Sequence, residues 1–138
     1  MKIVIDTNVV ASAMFFGGHP KKLLELLVSH KFEAYATPEI IIEYQETAEE
    51  LCSRYPEKPI RLPLTTIVAA MKIIEPTSAV NVCRDPDDDK FINCALDAKC
   101  LYIVSGDKDL LSLGNYAKIK IVTVSEFLAS YPPSKSDF

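Results

Sequence analysis

Four aspartates, Asp85, Asp87, Asp88 and Asp89, lie within five residues, directly before the apolar residues of a predicted helix. Asp85 fits the N-cap of that helix, and acidic side chains suit its positive first turn. Helix capping does not account for the positions of Asp88 and Asp89. At about 100° per residue, these two aspartates share the apolar face of the helix with residues such as Ile92. A buried, unpaired carboxylate is costly and a second one adds repulsion, so we expect a cation beside them.

Other acidic residues stand where they can reach the same place. Asp6 follows the buried strand predicted at Lys2–Ile5, and Asp107 follows a later apolar run of the same kind. The carboxyl ends of parallel strands share one edge of a sheet, where α/β proteins bind ligands. Glu43 is the glutamate closest to the apolar stripe of its helix, and we expect it to face inward. We therefore predict that these acids meet Asp88 around a divalent metal ion.

Mg²⁺ and Mn²⁺ are the ions that such a cluster suits, because both are hard cations that prefer carboxylate oxygens and keep several waters. Two unit charges ~4 Å apart interact by about 4 kcal/mol at an effective dielectric near 20, so clustered acids repel one another without metal. One or two such ions would relieve that repulsion and can deprotonate a bound water.

The elements that position these acids alternate between strands and helices in the order β-α-α-β-α-α-β-α-β-α-β-α. The predicted strands lie at residues 2–5, 32–36, 73–75, 101–104 and 120–124. This order predicts an α/β fold, a three-layer α/β/α sandwich with a central, mainly parallel sheet of about five strands. Residues 1–130 are expected to form a single domain, and residues 131–138 a flexible C-terminal tail.

The composition is that of an ordinary globular protein. Of 138 residues, 49% are hydrophobic and 25% charged, which allows one hydrophobic core. No apolar run approaches the ~20 residues of a membrane span, and no signal-peptide pattern precedes the first strand. Four cysteines without CxxC spacing predict reduced thiols, two of them in the core, and a cytoplasmic location. The net charge of −4 argues against nucleic-acid binding unless bound cations reverse the local field.

The sequence resembles the PIN domain family, nucleases of the kind found as toxins in VapC-type toxin–antitoxin pairs. The resemblance runs from Lys2 to about residue 128. Its motifs are Asp6-Thr7-Asn8 after the first strand, the mid-chain Glu43, the aspartates before Phe91 and Ala95, and Ser105-Gly106-Asp107 after a later strand. Ser105 stands where the family often has threonine. The resemblance implies a Mg²⁺- or Mn²⁺-dependent ribonuclease acting on single-stranded RNA, commonly a homodimer, with a cognate antitoxin protein as a possible partner.

Our hypothesis assigns Asp6, Glu43 and Asp88 as the main metal ligands, directly or through water. Asp107 would hold a second or weaker ion, and the same four acids would form the catalytic site. The family pattern of an acid three residues before a large apolar residue and seven before an alanine selects Asp88. Asp89 remains a close competitor.

Supporting residues are expected around these acids. Asn8 and Ser105 would orient ligands or water, and the ion must activate the attacking water because no histidine or lysine is placed as a general base. His19 is expected in an exposed loop. The basic residues that can contact RNA phosphates are Lys21, Lys22, Lys90 and Lys108. Each of these lysines also fits a solvated surface.

Two other function classes stay open. A haloacid-dehalogenase-like phosphatase also has an acid after its first strand and a late Gly-Asp-x-Asp, here Gly106–Asp109. It needs a second aspartate two residues after the first, however, and that position is Asn8. The other alternative is a non-catalytic interaction module that retains the acidic site. Phosphoenzyme trapping and a Mn²⁺-dependent assay on single-stranded RNA separate the three.

Overall fold

A computed structural model describes residues 1–130 of the chain. The strands are β1 (Lys2–Ile5), β2 (Glu33–Ala36), β3 (Lys72–Ile73), β4 (Tyr102–Val104), β5 (Asn115–Tyr116) and β6 (Ile119–Val122). The helices are α1 (Thr7–Phe15), α2 (Gly18–Val28), α3 (Pro38–Arg54), α4 (Leu64–Ala69), α5 (Asp89–Ala98), α6 (Lys108–Leu113) and α7 (Val124–Ser130), with a 3-10 turn at Pro86–Asp88. The predicted tail lies outside the described residues, and the domain boundary at residue 130 stays a prediction.

The sheet has six strands in the order β3-β2-β1-β4-β6-β5. All neighbouring pairs are parallel except β5 and β6, which are antiparallel. The predicted α/β sandwich is confirmed, and the five predicted strands are present. The sixth strand, β5, was not predicted, because two residues paired through a tight turn leave no hydrophobic period to read.

The core surrounds the central strand β1. Ile3, Val4 and Ile5 are fully buried, and since successive side chains of a strand point to opposite faces, both faces of the sheet are covered. Helix α5 packs against β1, β2 and β4, while α1 packs against α2 and α3. Two cysteines, Cys94 and Cys100, are buried in the core, which matches the predicted number, and all four cysteines are free thiols.

Hydrogen bonds at the carboxyl ends of β1 and β4 bring distant parts of the chain together. The amide of Asp6 donates to Val104 O at 2.9 Å, so the ladder between these strands continues to the first residue after β1. The amide of Ser105 continues the next ladder by donating to Val122 O at 2.9 Å. Asp6 and Ser105 are therefore neighbours although 99 residues separate them.

The start of α5 differs slightly from the prediction. Asp85 caps the 3-10 turn rather than an α-helix, with its carboxylate accepting the amide of Asp87 at 3.0 Å. The α-helix begins only at Asp89. Within residues 1–130, no helix is long and apolar enough to cross a membrane.

Candidate active site

A cleft of about 310 Å³ opens at the carboxyl edge of the sheet, beyond β1 and β4. It is lined by Asp6, Thr7, Asn8, Glu43, Thr47, Asp85, Asp88 and Asp107. The four acids predicted as ligands are all among these residues. They come from the end of β1, the second turn of α3, the turn before α5 and the segment after β4.

Asp6 is the most buried acid of the cleft, with 5% of its surface exposed. Its carboxylate accepts the amide of Thr7 at 2.7 Å and the hydroxyl of Ser105 at 2.6 Å. Burial raises the pKa of Asp6, and the charges of Asp107 and Glu43 add to the rise, while the bonds from Ser105 and Thr7 oppose it. A carboxylate held this firmly beside other acids carries an unfavourable charge that a cation would offset.

Ser105 links two of the predicted ligands. Its fully buried hydroxyl donates to Asp6 and accepts the amide of Asp107 at 2.9 Å. Asp107 in turn caps α6, its carboxylate accepting the amide of Asp109 at 3.4 Å. The serine thus orients the segment after β4 relative to the end of β1.

Asp88 carries the largest electrostatic perturbation among these acids. Burial raises its pKa to about 7, together with a hydrogen bond to the Asp107 carboxyl and the charges of Asp107, Asp6 and Asp85. A hydrogen bond between two carboxyls requires a proton on one of them, and this favours the protonated form of Asp88. The negative potential that favours protonation of Asp88 near neutral pH also favours binding of a metal cation.

Glu43 is held by two donors at once. The Thr7 hydroxyl donates to its Oε2, and the ammonium of Lys90 lies 2.7 Å from its Oε1. Helix α3 is fixed beside β1 by the next residue, since the buried Tyr44 hydroxyl donates to Ile5 O at 2.5 Å. Glu43 therefore does look inward, towards the residues that follow β1.

Comparison with known proteins identifies the family. The profile of the PIN domain family matches residues 2–109. The chain belongs to the PIN domain family. The uncharacterized protein MJ1680 of Methanocaldococcus jannaschii is 38% identical to it over 143 aligned positions, which cover 95% of this chain and 92% of that protein. The PIN domain of RRP44 from T. brucei covers 92% of this chain and 78% of its own, with 15% identity and a TM-score of 0.48. PIN domains are generally nucleases that act on nucleic acid.

In this PIN domain, Asp88 and Asp89 point to different places. Asp88 lines the cleft, whereas Asp89 is buried and accepts the amides of Val82 and Cys83 at 3.0 and 2.8 Å. Burial acts to raise the pKa of Asp89, but these hydrogen bonds outweigh it and the pKa is lowered. Asp89 therefore fastens the preceding loop to α5, which accounts for its burial without a metal.

Lys90 does not lie where an RNA-contacting lysine was expected. Its side chain is 7% exposed and its ammonium also contacts Asp87, at 3.0 Å from the carboxylate and 2.7 Å from the backbone carbonyl. Burial acts to lower the pKa of Lys90, but the bonds to Glu43 and Asp87 outweigh it and the pKa is raised. Lys90 is thus a counter-ion of the acidic cluster and not a free surface cation.

The remaining predicted residues lie at the surface. Asn8 is exposed at the rim of the cleft, and Lys22 and Lys108 are exposed at the starts of α2 and α6. Lys21 forms an ion pair with Glu25 at 3.4 Å. His19 is exposed as expected, but it lies in the first turn of α2 and not in a loop.

Sequence reasoning gave no role to Thr7 and missed Thr47, and both line the cleft. Thr47 could have been found, because it lies four residues after Glu43 and hence on the same face of α3. The contact of Thr7 with Glu43 spans 36 residues and leaves no local signal.

The donor set of the cleft fits a hard divalent cation, since it consists of carboxylate and hydroxyl oxygens. Among residues 1–130, however, no three histidine, cysteine, aspartate or glutamate side chains form a preformed metal cage. Holding an ion here therefore requires small side-chain movements or bridging waters, which Mg²⁺ commonly retains.

Proposed function

We propose that this PIN domain is a Mg²⁺- or Mn²⁺-dependent endoribonuclease that hydrolyses phosphodiester bonds of single-stranded RNA. The supporting observation is the cleft in which Asp6, Glu43, Asp88 and Asp107 gather from four parts of the chain. Burial and the neighbouring acids raise the pKa of Asp88 to about 7. Clustered carboxylates destabilise the folded state by mutual repulsion, so the cluster is not explained by folding. Metal-dependent hydrolysis of a phosphodiester requires such a cluster.

The proposed ligands are Asp6, Glu43 and Asp88, directly or through water, with Asp107 holding a second or weaker ion. Bound there, one or two ions supply activation of the attacking water and neutralisation of charge on the phosphate. Both oxygens of Glu43 already accept a hydrogen bond or ion pair, from Thr7 and Lys90. Because some lone pairs of the Glu43 carboxylate are already used, we expect Glu43 to contact the ion through a water molecule.

The protein's own contribution is to hold the carboxylates in place before substrate arrives. Ser105 orients Asp6 and the amide of Asp107, while Thr7 and Lys90 orient Glu43. Preorganised groups avoid reorganisation during the reaction, which is a main source of enzymatic rate enhancement.

The test is cleavage of a single-stranded RNA oligonucleotide with Mn²⁺, with and without chelator. Asp6→Asn and Asp88→Asn should abolish cleavage while the fold is kept, and Asp97→Asn, an acid that does not line the cleft, serves as the matched control. Full activity in both cleft variants rejects the assignment. An inactive but Mn²⁺-binding wild type favours the non-catalytic interaction module.

The phosphatase alternative gains no support from the cleft. Its second aspartate would have to lie at position 8, where an exposed asparagine stands, and PIN domains are generally nucleases. Trapping of a phosphoenzyme on Asp6 would revive it.

We further propose that the protein is cytoplasmic, forms a homodimer, and acts as the toxin of a toxin–antitoxin pair. The dimer is supported by exposed aromatic residues at the ends of α1 and α3, where Phe16 and Tyr55 are 51% and 44% exposed and their rings stack edge-on at 6.4 Å. Light scattering of the wild type and of Phe16→Glu tests the dimer. Growth arrest on expression, relieved by a co-expressed partner protein, tests the toxin.

A further inference from the structure

A second groove, of about 340 Å³, opens beside the acidic cleft. We call it the His19 groove, and its polar lining residues are Asn8, Ser12, His19, Ser105, Thr123 and Ser125. Asn8 lines both the groove and the cleft. Ser105 donates to Asp6 at 2.6 Å from the same boundary, so the groove begins where the acidic cleft ends.

The lining of the His19 groove combines these polar side chains with the apolar Val9, Pro20 and Val124, and among the described residues it carries no carboxylate. Hydroxyl, amide and imidazole groups both donate and accept hydrogen bonds. These are the groups that recognise base edges and the ribose 2′-hydroxyl. His19 Nδ1 lies 3.3 Å from Ser125 Oγ, which joins the start of α2 to the start of α7 across the groove.

A different groove leaves the acidic cleft on the other side of α1 and, unlike the His19 groove, is lined in part by charged residues. Its lining includes Glu50 and Arg54, which are paired with each other, so the arginine's charge is already neutralised. A phosphodiester strand in that groove would lie beside the Glu50 carboxylate, without a free cationic side chain of the groove lining to pair with its phosphate. On the His19 side no carboxylate lines the groove, and the exposed Lys22 follows within the same turn of α2, while Lys21 is paired with Glu25. Electrostatics therefore favour the His19 groove for a nucleic-acid strand.

We propose that the His19 groove binds one unstacked ribonucleotide of the substrate, next to the phosphodiester that the acidic cleft cleaves. The proposal rests on the ribonuclease function proposed above and adds the path of the RNA strand. The groove lies near the lower end of the roughly 300–1,000 Å³ typical of ligand pockets, so it has room for one nucleotide and not for a stacked run. Bases of a duplex stay stacked and paired, and for this reason the site selects single-stranded RNA.

Two tryptophan variants at exposed positions give a matched test. Ser125→Trp fills the His19 groove, and Glu50→Trp fills the groove on the other side of α1. With a single-stranded RNA oligonucleotide and Mn²⁺, Ser125→Trp should raise KM at least roughly tenfold, and Glu50→Trp should change it by less than about twofold. Binding of Mn²⁺ alone, followed by electron paramagnetic resonance, should stay unchanged in both variants because neither position is a proposed ligand.

A second measurement checks that a ribose is read in the groove. A single 2′-deoxy substitution on the nucleotide that occupies the groove should raise KM several-fold for the wild type but not for Ser125→Trp, whose groove is already blocked. Equal KM values for the two tryptophan variants, or a larger effect of Glu50→Trp, overturn the groove assignment while cleavage by the wild type keeps the ribonuclease function. A wild type that neither binds Mn²⁺ nor cleaves RNA overturns both.

Discussion

Asp88→Asn should make the metal-free protein more stable at alkaline pH, although it removes a proposed catalytic residue. The pKa of Asp88 is raised to about 7 from an ordinary value of 3.8, by burial, by the hydrogen bond with Asp107 and by nearby acids. The folded protein therefore resists ionisation of this group more than the unfolded chain does. Asparagine cannot ionise, so the variant escapes that penalty.

The size of the effect follows from the pKa difference and its sign. At about 1.4 kcal/mol per pKa unit, the difference corresponds to an unscreened upper limit of about 4 kcal/mol. The carboxylate is partly exposed to solvent, which screens the interaction, and we expect about 1–2 kcal/mol. Because the folded pKa is the higher one, the penalty is absent below pH 4, grows between pH 4 and 7, and is complete above pH 7.

Urea unfolding in the presence of chelator, at a series of pH values from 4 to 8, measures this difference. The unfolding free energy of Asp88→Asn should equal that of the wild type near pH 4, apart from a constant offset, and exceed it progressively up to pH 7. Asp89→Asn is the matched contrast, since the neighbouring carboxylate is stabilised by the amides of Val82 and Cys83. Its loss should cost about 2 kcal/mol at pH 7. A relative gain for Asp88→Asn that does not grow with pH refutes the reasoning.

Three further predictions concern other parts of the site and the fold. Lys90→Met should reduce kcat more than Lys90→Gln, because both lose the charge but only glutamine can still donate to Glu43; equal kcat values would make Lys90 a charge-balancing residue only. Ser105→Ala should lower the cleavage rate at least roughly tenfold, whereas Ser105→Thr keeps the hydroxyl that holds Asp6 and should retain most activity, as kinetics on RNA will reveal. Asp97→Asn should leave cleavage unchanged but cost about 1–2 kcal/mol at pH 7 in urea unfolding. Although burial opposes it, hydrogen bonding lowers the pKa of Asp97 to about 2, so its contribution exists above pH 4 and disappears as the pH falls towards 2.

The positions of Asp6 and Asp107 could be predicted from sequence because both follow short buried strands, and parallel strands end at one edge of a sheet. The choice between Asp88 and Asp89 could not be settled this way. Adjacent helical residues differ by only about 100° in direction, and both flank the same apolar stripe. The amides of Val82 and Cys83, which hold Asp89, belong to a loop without any periodic pattern.

Lys90 illustrates the contacts that sequence patterns do not encode. A lysine in a charged segment suggested a solvent-exposed cation near the substrate, yet its side chain is buried against Glu43, 47 residues earlier in the chain. The pairing depends on how α3 and α5 approach each other, which is decided by packing around Tyr44 and the end of β1. Such tertiary contacts have no counterpart in local spacing.

The central claim is that Asp6, Glu43, Asp88 and Asp107 together hold a divalent cation. The most direct test is a Mn²⁺ binding isotherm from the electron paramagnetic resonance signal of free Mn²⁺, recorded for the wild type, Asp6→Asn, Asp88→Asn and Asp97→Asn. We expect saturable binding of one or two ions by the wild type and Asp97→Asn, and binding weakened at least roughly tenfold in both cleft variants. The same isotherm for all four proteins would contradict it.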